Sequence, residues 1–249
     1  MSSKSSDTAL IDNEPAADAA ALADAKARAK RYRRRGRIAV FSALGLVLLL
    51  AGGIAGFGYW ATHNKPAYMV PQHVAKQRDG IVAGGTGAVR VDVYVDYQCP
   101  DCKAFEDSVA GTLDQMVAAN RITLVYHPLA VDTNSTTQYA MRAAASVGCA
   151  SDLDDFLTYS NLLFREQPKE NTAGLTDNQL VQIGGKAGMI NPVFAECLRA
   201  GTYNKWVASE NAAAAKKHIT TTPTLLVDER SVAPAGTVPT LAELKAAVG

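Results

Sequence analysis

The sequence predicts one α/β domain carrying an inserted α-helical subdomain, preceded by a single transmembrane helix. Three observations predict it. Ile38 to Trp60 runs for 23 residues without a charge. Residues 89–127 switch from an alternating apolar period to a helical one and back. A long helix-patterned block, about 133–218, then separates that unit from a last strand and helix.

The uncharged run is long enough to cross a hydrocarbon core of about 30 Å as a helix. Lys26, Arg28, Lys30, Arg31, Arg33, Arg34, Arg35 and Arg37 precede it, and Lys65 alone follows within ten residues. The positive-inside rule therefore puts the N-terminus in the cytoplasm and the larger C-terminal part outside. A cleaved signal peptide is the competing reading. The leader is long for that, the apolar run exceeds a usual h-region, and "GYWAT" is a poor cleavage site. An uncleaved anchor at 38–60 is the expectation, and the exported side permits disulfides. All four cysteines lie there: Cys99, Cys102, Cys149 and Cys197.

Residues 1–37 hold nine Lys/Arg and five Asp/Glu, and the remainder sixteen against nineteen. The bulk of the chain has no basic surplus, so nothing in its charge points to nucleic acid. Residues 1–37 read as a cytoplasmic disordered basic tail, and 61–79, polar with two prolines, as a stalk.

The folded part is expected over 80–249. "GIVAGG" suits a short edge strand. In "AVRVDVYVD", Val89, Val91, Val93 and Val95 face one way and Arg90, Asp92, Tyr94 and Asp96 the other, a strand with one face in the core. Phe105, Val109, Leu113, Met116 and Val117 then follow helical spacing. Pro100 fits the first helical position, where a missing N–H costs nothing, and Asn120 can end the helix. A second strand follows over about 122–127, stopped by Pro128. Helices are expected over 135–147, 152–165, 176–188 and 192–217, the last broken at Gly201, with Gly148, the Pro168–Gly174 loop and Gly188 to Pro192 as breaks. "TPTLLVDE" is a strand led by proline, "RSVAPAGTVP" a turn with room for a short strand. "TLAELKAAV" is a closing helix with Thr240 and Glu243 in capping-box positions.

Cys99 and Cys102 therefore sit at a strand-to-helix junction inside a β-α-β unit. A structural zinc site needs four ligands, and this chain has one close cysteine pair and no suitably spaced histidines. A purely structural bridge across two residues constrains little of the unfolded chain. Redox exchange fits the placement. Unpaired N–H groups and the helix dipole stabilise an anion at a helix N-terminus, and the thiolate is the nucleophile. Cys102, one turn on, is placed to resolve a mixed disulfide.

"VDYQCPDCKAF", followed by a helical block and "TTPTLLVD", resembles the thioredoxin superfamily, and within it the DsbA-like thiol:disulfide oxidoreductases, especially membrane-anchored ones of Gram-positive and actinobacterial type. The resemblance covers about residues 80–249 and implies a thioredoxin fold with a helical insertion. It makes Cys99 the nucleophile and Cys102 the resolving thiol. It makes Thr222–Pro223, with a cis bond in the family, a substrate-facing loop. It also implies a quinone-linked membrane reoxidant of DsbB or VKOR type, reduced or unfolded exported proteins as substrates, and no prosthetic group, because the dithiol is itself the carrier.

Two departures bear on direction. Many relatives carry a buried acid six residues before the first cysteine, where this chain has Val93, so another base or water must serve. Strong oxidants often carry His between the cysteines, where this chain has Pro100-Asp101. A carboxylate beside a thiolate repels it, which predicts a weaker oxidant. A reductase or isomerase on the same scaffold, as in cytochrome c maturation, stays open, as does a chaperone-like binding domain with structural cysteines.

Cys149 and Cys197 both fall in the helical block, and two leftover cysteines in an oxidising compartment usually pair. A structural disulfide is expected, with a second redox pair or separate thiols as rivals. His127 ends the second strand, where it packs or approaches the sheet edge, and the Leu162–Phe164 cluster and Trp206 are expected to pack the helical block.

Overall fold

The computed structural model describes residues 68–76, 79–131 and 137–249, with isolated positions at 26, 28, 30, 52 and 53. Apart from those isolated positions, the expected tail and membrane span lie outside the described residues. No helix among the described residues is long and apolar enough to cross a membrane.

The central pair of strands is β2 (Val89–Asp96) and β3 (Ile122–Leu129), parallel, joined by helix α1 (Pro100–Ala118). β1 (Ile81–Gly84) pairs antiparallel with the outer side of β3. β4 (Thr224–Val227) pairs antiparallel with β2, and β5 (Arg230–Ser231) with β4, giving the order β1-β3-β2-β4-β5. Between β3 and β4 come α2 (Tyr139–Ser151), α3 (Phe156–Arg165), α4 (Asp177–Lys186), α5 (Pro192–Arg199) and α6 (Asn204–Lys216). α7 (Leu241–Val248) closes the chain and opens on the Thr240–Glu243 capping box. This is a thioredoxin-like α/β fold with the helical block between its halves.

Several boundaries differ from the sequence expectation for physical reasons. The chain packs onto the domain well before Gly80. Tyr68, Val70 and Val74 pack against the core, and the Ser151 hydroxyl donates to the Gln72 carbonyl. β3 passes through Pro128 instead of stopping before it, with Pro128 opposite Val95 in the parallel register. β1 reaches only as far as Tyr126, so no partner on that flank requires the N–H that proline lacks. Gly148 lies inside α2 rather than ending it. A Cβ there would come within 2.8 Å of the Tyr203 ring, so this glycine permits close packing. The helix instead ends near Asp152, whose carboxylate accepts the Gln72 N–H at 2.8 Å and the Tyr203 hydroxyl.

The β2 strand is buried on both faces, not one. Its valines enter the main core with Phe105, Val109 and Leu113 of α1. Its other face carries a smaller apolar cluster of Tyr94, Leu129, Ala214 and Leu226, together with a buried ionic network. His127 is 1% exposed, with Nε2 2.8 Å from Asp92 and Nδ1 3.1 Å from Glu210 of α6. Glu210 also accepts the Gly80 N–H at 2.9 Å, and Arg90 donates to both oxygens of Asp92. Tyr94 stacks on the imidazole with centroids 4.1 Å apart. His127 thus fastens α6 to the sheet and is not part of the cysteine site.

Burial alone would disfavour every charge in that network. The Asp92 and Glu210 hydrogen bonds outweigh it and hold His127 above its ordinary value. Burial likewise works against the Asp92 carboxylate, but His127 and Arg90 hold it below its ordinary value. The stabilisation is therefore fully present only between the ordinary values of the two groups, 3.8 for the carboxyl and 6.5 for the imidazole. It fades as pH rises through the raised His127 value or falls through the lowered Asp92 value. Urea midpoints measured against pH are expected to show both limbs, and His127→Phe to remove the alkaline one.

α2 and α5 are joined by a disulfide between Cys149 and Cys197, 48 positions apart. Closing a loop of that length stabilises by about 4 kcal/mol in the chain-entropy model. The Cys149→Ala, Cys197→Ala variant is expected to lose roughly that much in urea unfolding, with the thiol pair at Cys99 and Cys102 still reactive.

Candidate active site

Asp96 is the last residue of β2, and its polar groups tie the junction with α1 to the end of β3. Its Oδ1 accepts the Gln98 N–H at 2.8 Å and its Oδ2 the Val131 N–H at 2.7 Å. Its carbonyl accepts the Cys99 N–H at 3.2 Å, and its own N–H donates to Cys102 Sγ at 3.5 Å. Cys99 then caps α1 from an extended backbone, with Pro100 in the first turn. Cys99 Sγ accepts the Cys102 N–H at 3.3 Å, a bond that belongs to an N-cap side chain. The Cys99 thiol in turn donates to the Thr222 carbonyl at 3.3 Å, and the Thr222–Pro223 peptide bond is cis. The structure brings Cys99, Cys102, Thr222 and Pro223 together. Cys149 and Cys197, by contrast, are bonded to each other in the helical block.

Both members of the close pair are thiols, and their environments differ. Cys99 is partly exposed and Cys102 fully buried. The hydrogen bond from the Cys102 side chain is the largest influence on Cys99. It works against burial and is joined by the backbone N–H groups of Cys102 and Asp101 and by the Thr222 side chain, so the Cys99 thiol falls to about 7. Burial, reinforced by the bond it gives to Cys99, pushes the Cys102 thiol well above its ordinary value. One sulfur is thus a ready nucleophile and its neighbour a reluctant acid, the asymmetry that stepwise thiol–disulfide exchange requires.

Side chains not singled out in the sequence hold this junction in place. Gln98, fully buried, donates to the Thr172 carbonyl at 3.2 Å. Gln167 donates to the Cys99 carbonyl at 2.9 Å, and Lys103 to the Phe164 carbonyl at 2.8 Å. The segment after α3 is thereby tied to the start of α1. No local pattern marks Gln167, 68 positions from Cys99.

Glu106 is a further residue of the site, and the sequence carries a signal for it. It falls among Cys102, Phe105, Val109 and Leu113, the buried face of α1, and a carboxylate there is out of place. Val93, where relatives often carry an acid, is an ordinary core residue. Burial raises the Glu106 carboxyl to about 7 against the lowering effect of the Tyr126 hydroxyl, which donates to Oε2 at 3.1 Å.

A cavity of about 490 Å³ lies behind Thr220, Thr221 and Pro223 and extends to Arg90 and Lys217. Neither cysteine lines it, so the sulfur chemistry lies outside this cavity.

Alkylation of the reduced protein checks the asymmetry directly. Cys99 is expected to react with iodoacetamide along a titration centred at about 7. Cys102 is expected to stay unmodified until the protein is unfolded, as peptide mass mapping would show.

Residues 76–248 match the family model described as Thioredoxin. Among solved structures the chain is similar to an oxidised DsbA of Mycobacterium tuberculosis, at 27% identity and a TM-score of 0.54, over 68% of this chain and 89% of that one. It is also similar to the reduced form of a disulfide bond oxidoreductase (DsbG) from the same organism, at 25% identity and a TM-score of 0.52, over 67% and 88%. MdbA, a thiol-disulfide oxidoreductase from Actinomyces oris, shares the fold at 23% identity and a TM-score of 0.60, over 72% and 88%. No curated protein matches the sequence. The matched residues take in the β-α-β unit, the helical block and the returning strand alike, and the chain belongs to the thioredoxin family, with the build of its DsbA-like members.

Proposed function

We propose that this thiol:disulfide oxidoreductase forms disulfides in exported proteins at the outer face of a membrane, anchored by residues 38–60. The observation that carries the reading is the unequal pair at the start of α1. Cys99 is reachable and thiolate-prone, lies against the Thr222 carbonyl, and is backed by a buried thiol that holds its proton. Support for the compartment comes from the sequence, in the uncharged run, the basic cluster before it and the placement of all cysteines after it.

In the oxidising direction the enzyme starts with Cys99 and Cys102 joined. A substrate thiolate attacks Cys99 Sγ, the new sulfur–sulfur bond forms, and Cys102 leaves as a thiolate that takes up a proton. A second substrate thiolate attacks the substrate sulfur of the mixed disulfide and expels Cys99 as a thiolate. Two electrons pass from substrate to enzyme. α1 favours that last step, because its first-turn N–H groups stabilise the expelled anion. Thr222 and Pro223 border Cys99 and are the residues against which a substrate backbone would lie. Reoxidation is assigned to a quinone-linked membrane protein of DsbB or VKOR type, and no prosthetic group is needed.

A specific observation keeps a reductase or isomerase as the second reading. The Cys99 thiol at about 7 is nearer the value typical of thioredoxin, about 7, than that of DsbA, about 3.5. Asp101 sits in the first helical turn beside it. The reduction potential decides. Equilibration with glutathione buffers is expected to give a value between those of DsbA, about −120 mV, and thioredoxin, about −270 mV, and a value at or below the latter makes the protein a reductase. Asp101→His is expected to raise the potential by at least about 30 mV, a tenfold change in the exchange equilibrium. An unchanged potential would remove Asp101 as the cause.

A further inference from the structure

Cys102 has a proton problem that the family's usual acid does not solve here. It is fully buried on the core side of α1. When its bond to Cys99 breaks it becomes an anion in an apolar setting, a state that burial strongly disfavours. Bulk solvent has no direct access to a sulfur that is 0% exposed, so a side chain on the same buried face is the readiest source of the proton and its acceptor when the disulfide re-forms.

The ionisable neighbours can be taken in turn. Both oxygens of Asp96 already accept backbone N–H groups, those of Gln98 and Val131, so its carboxylate is committed to the turn. Asp92 and His127 lie on the other face of the sheet, locked to Arg90 and Glu210. Asp101 is exposed to solvent, and Lys103 is spent on the Phe164 carbonyl. Glu106 remains. It is one helical turn beyond Cys102 on the same buried face, the spacing at which helix side chains are neighbours. Its Oε2 is engaged by Tyr126 of β3, whereas its Oε1 is buried with no hydrogen-bond partner among the described residues. The other groups that act on it are Asp107 and Asp114 of α1, which favour its neutral form. Its charge in turn acts on Tyr97, in the turn before Cys99.

With thiol–disulfide exchange at Cys99 and Cys102 as the activity, we infer that Glu106 is the residue that exchanges a proton with Cys102, replacing the acid that relatives carry at the position of Val93. In the oxidising half-reaction the substrate sulfur bonds to Cys99 and the Cys99–Cys102 bond breaks. The electron pair goes to Cys102, and the proton on Glu106 moves to that sulfur. In reoxidation Cys102 returns the proton to the carboxylate as it attacks. Near neutral pH a carboxyl group held at about 7 can do both. Glu106 acts through Cys102 and touches no substrate, so it is a positioning and proton-holding residue.

The test is single-turnover reduction of the oxidised full-length protein in detergent by excess dithiothreitol, at a series of pH values on either side of neutrality. Rates are divided by the dithiothreitol thiolate concentration. Cys99 is then in the disulfide and does not titrate, so the inflection belongs to the proton donor. The corrected rate is expected to fall as pH rises through about 7. Glu106→Gln is expected to flatten this profile and to slow the step roughly 100-fold below neutrality, the low end for general acid–base effects. Glu106→Gln is also liable to repack the core. Tyr126→Phe therefore gives a second readout: losing its donor should move the inflection to higher pH. A flat parent profile, an inflection that survives Glu106→Gln, or one that Tyr126→Phe leaves in place would overturn the assignment while leaving the activity intact. A parent that does not react with dithiothreitol at Cys99 would overturn the functional reading and this assignment together.

Discussion

One carboxylate decides where the sheet stops and the redox chemistry starts. Asp96 uses both side-chain oxygens, its carbonyl and its N–H to fix the turn from β2 into α1 and the end of β3 beside it. Buried carboxylates persist when such donors surround them, and the geometry is then stiff because each lost bond leaves a charge unpaired. That stiffness puts Cys99 at the N-cap and Cys102 in the core one turn later. The difference in acidity between two chemically identical side chains follows from those two positions. Neither the cysteines nor the helix dipole would suffice without a junction that holds them in register with the Thr222 carbonyl.

The opposite face of the sheet depends on a second set of charges. Asp92, His127 and Glu210 come from β2, β3 and α6, and Arg90 completes the set. A buried imidazolium between two carboxylates gains little net stability over a well-packed apolar core, but removing one member leaves the others uncompensated. The network therefore works as a register device. It tells α6 where to sit, and the segment following α6 carries Thr222 and Pro223 to the cysteines. The two faces of β2 divide the labour, with valines packing α1 on one side and charges seating the helical block on the other.

Much of this was legible from residue patterns. The alternation at 89–96, the helical spacing after Pro100, the Thr240–Glu243 capping box and the place of Cys99 at a strand–helix junction are local, and local order is what periodicity reports. The misreadings have specific causes. Gly148 looked like a break because glycine weakens helices, yet Tyr203, 55 residues away, requires its lack of a side chain. Pro128 looked like a strand end because proline lacks an N–H, but the shortness of β1 left that N–H without a partner to serve. Asp92 looked solvent-facing because alternation shows only that two faces differ, not that α6 covers the second. Glu106 stood in the apolar stripe of α1, visible as an exception but without a stated partner until Tyr126 was placed beneath it.

The sequence by itself determined the kind of chemistry. Two cysteines three positions apart, behind a strand and at a helix start, make a dithiol whose first sulfur meets the helix dipole, and that follows from chain connectivity alone. It also determined the order of the elements around them. The tertiary structure decided which groups tune that dithiol. Thr222 reaches Cys99 from 123 positions away, Gln167 from 68, and the pairing of Cys149 with Cys197 spans 48. Acidity in a protein is set by burial and by the nearest donors and charges, and those are properties of packing, which brings together residues that the linear chain keeps apart.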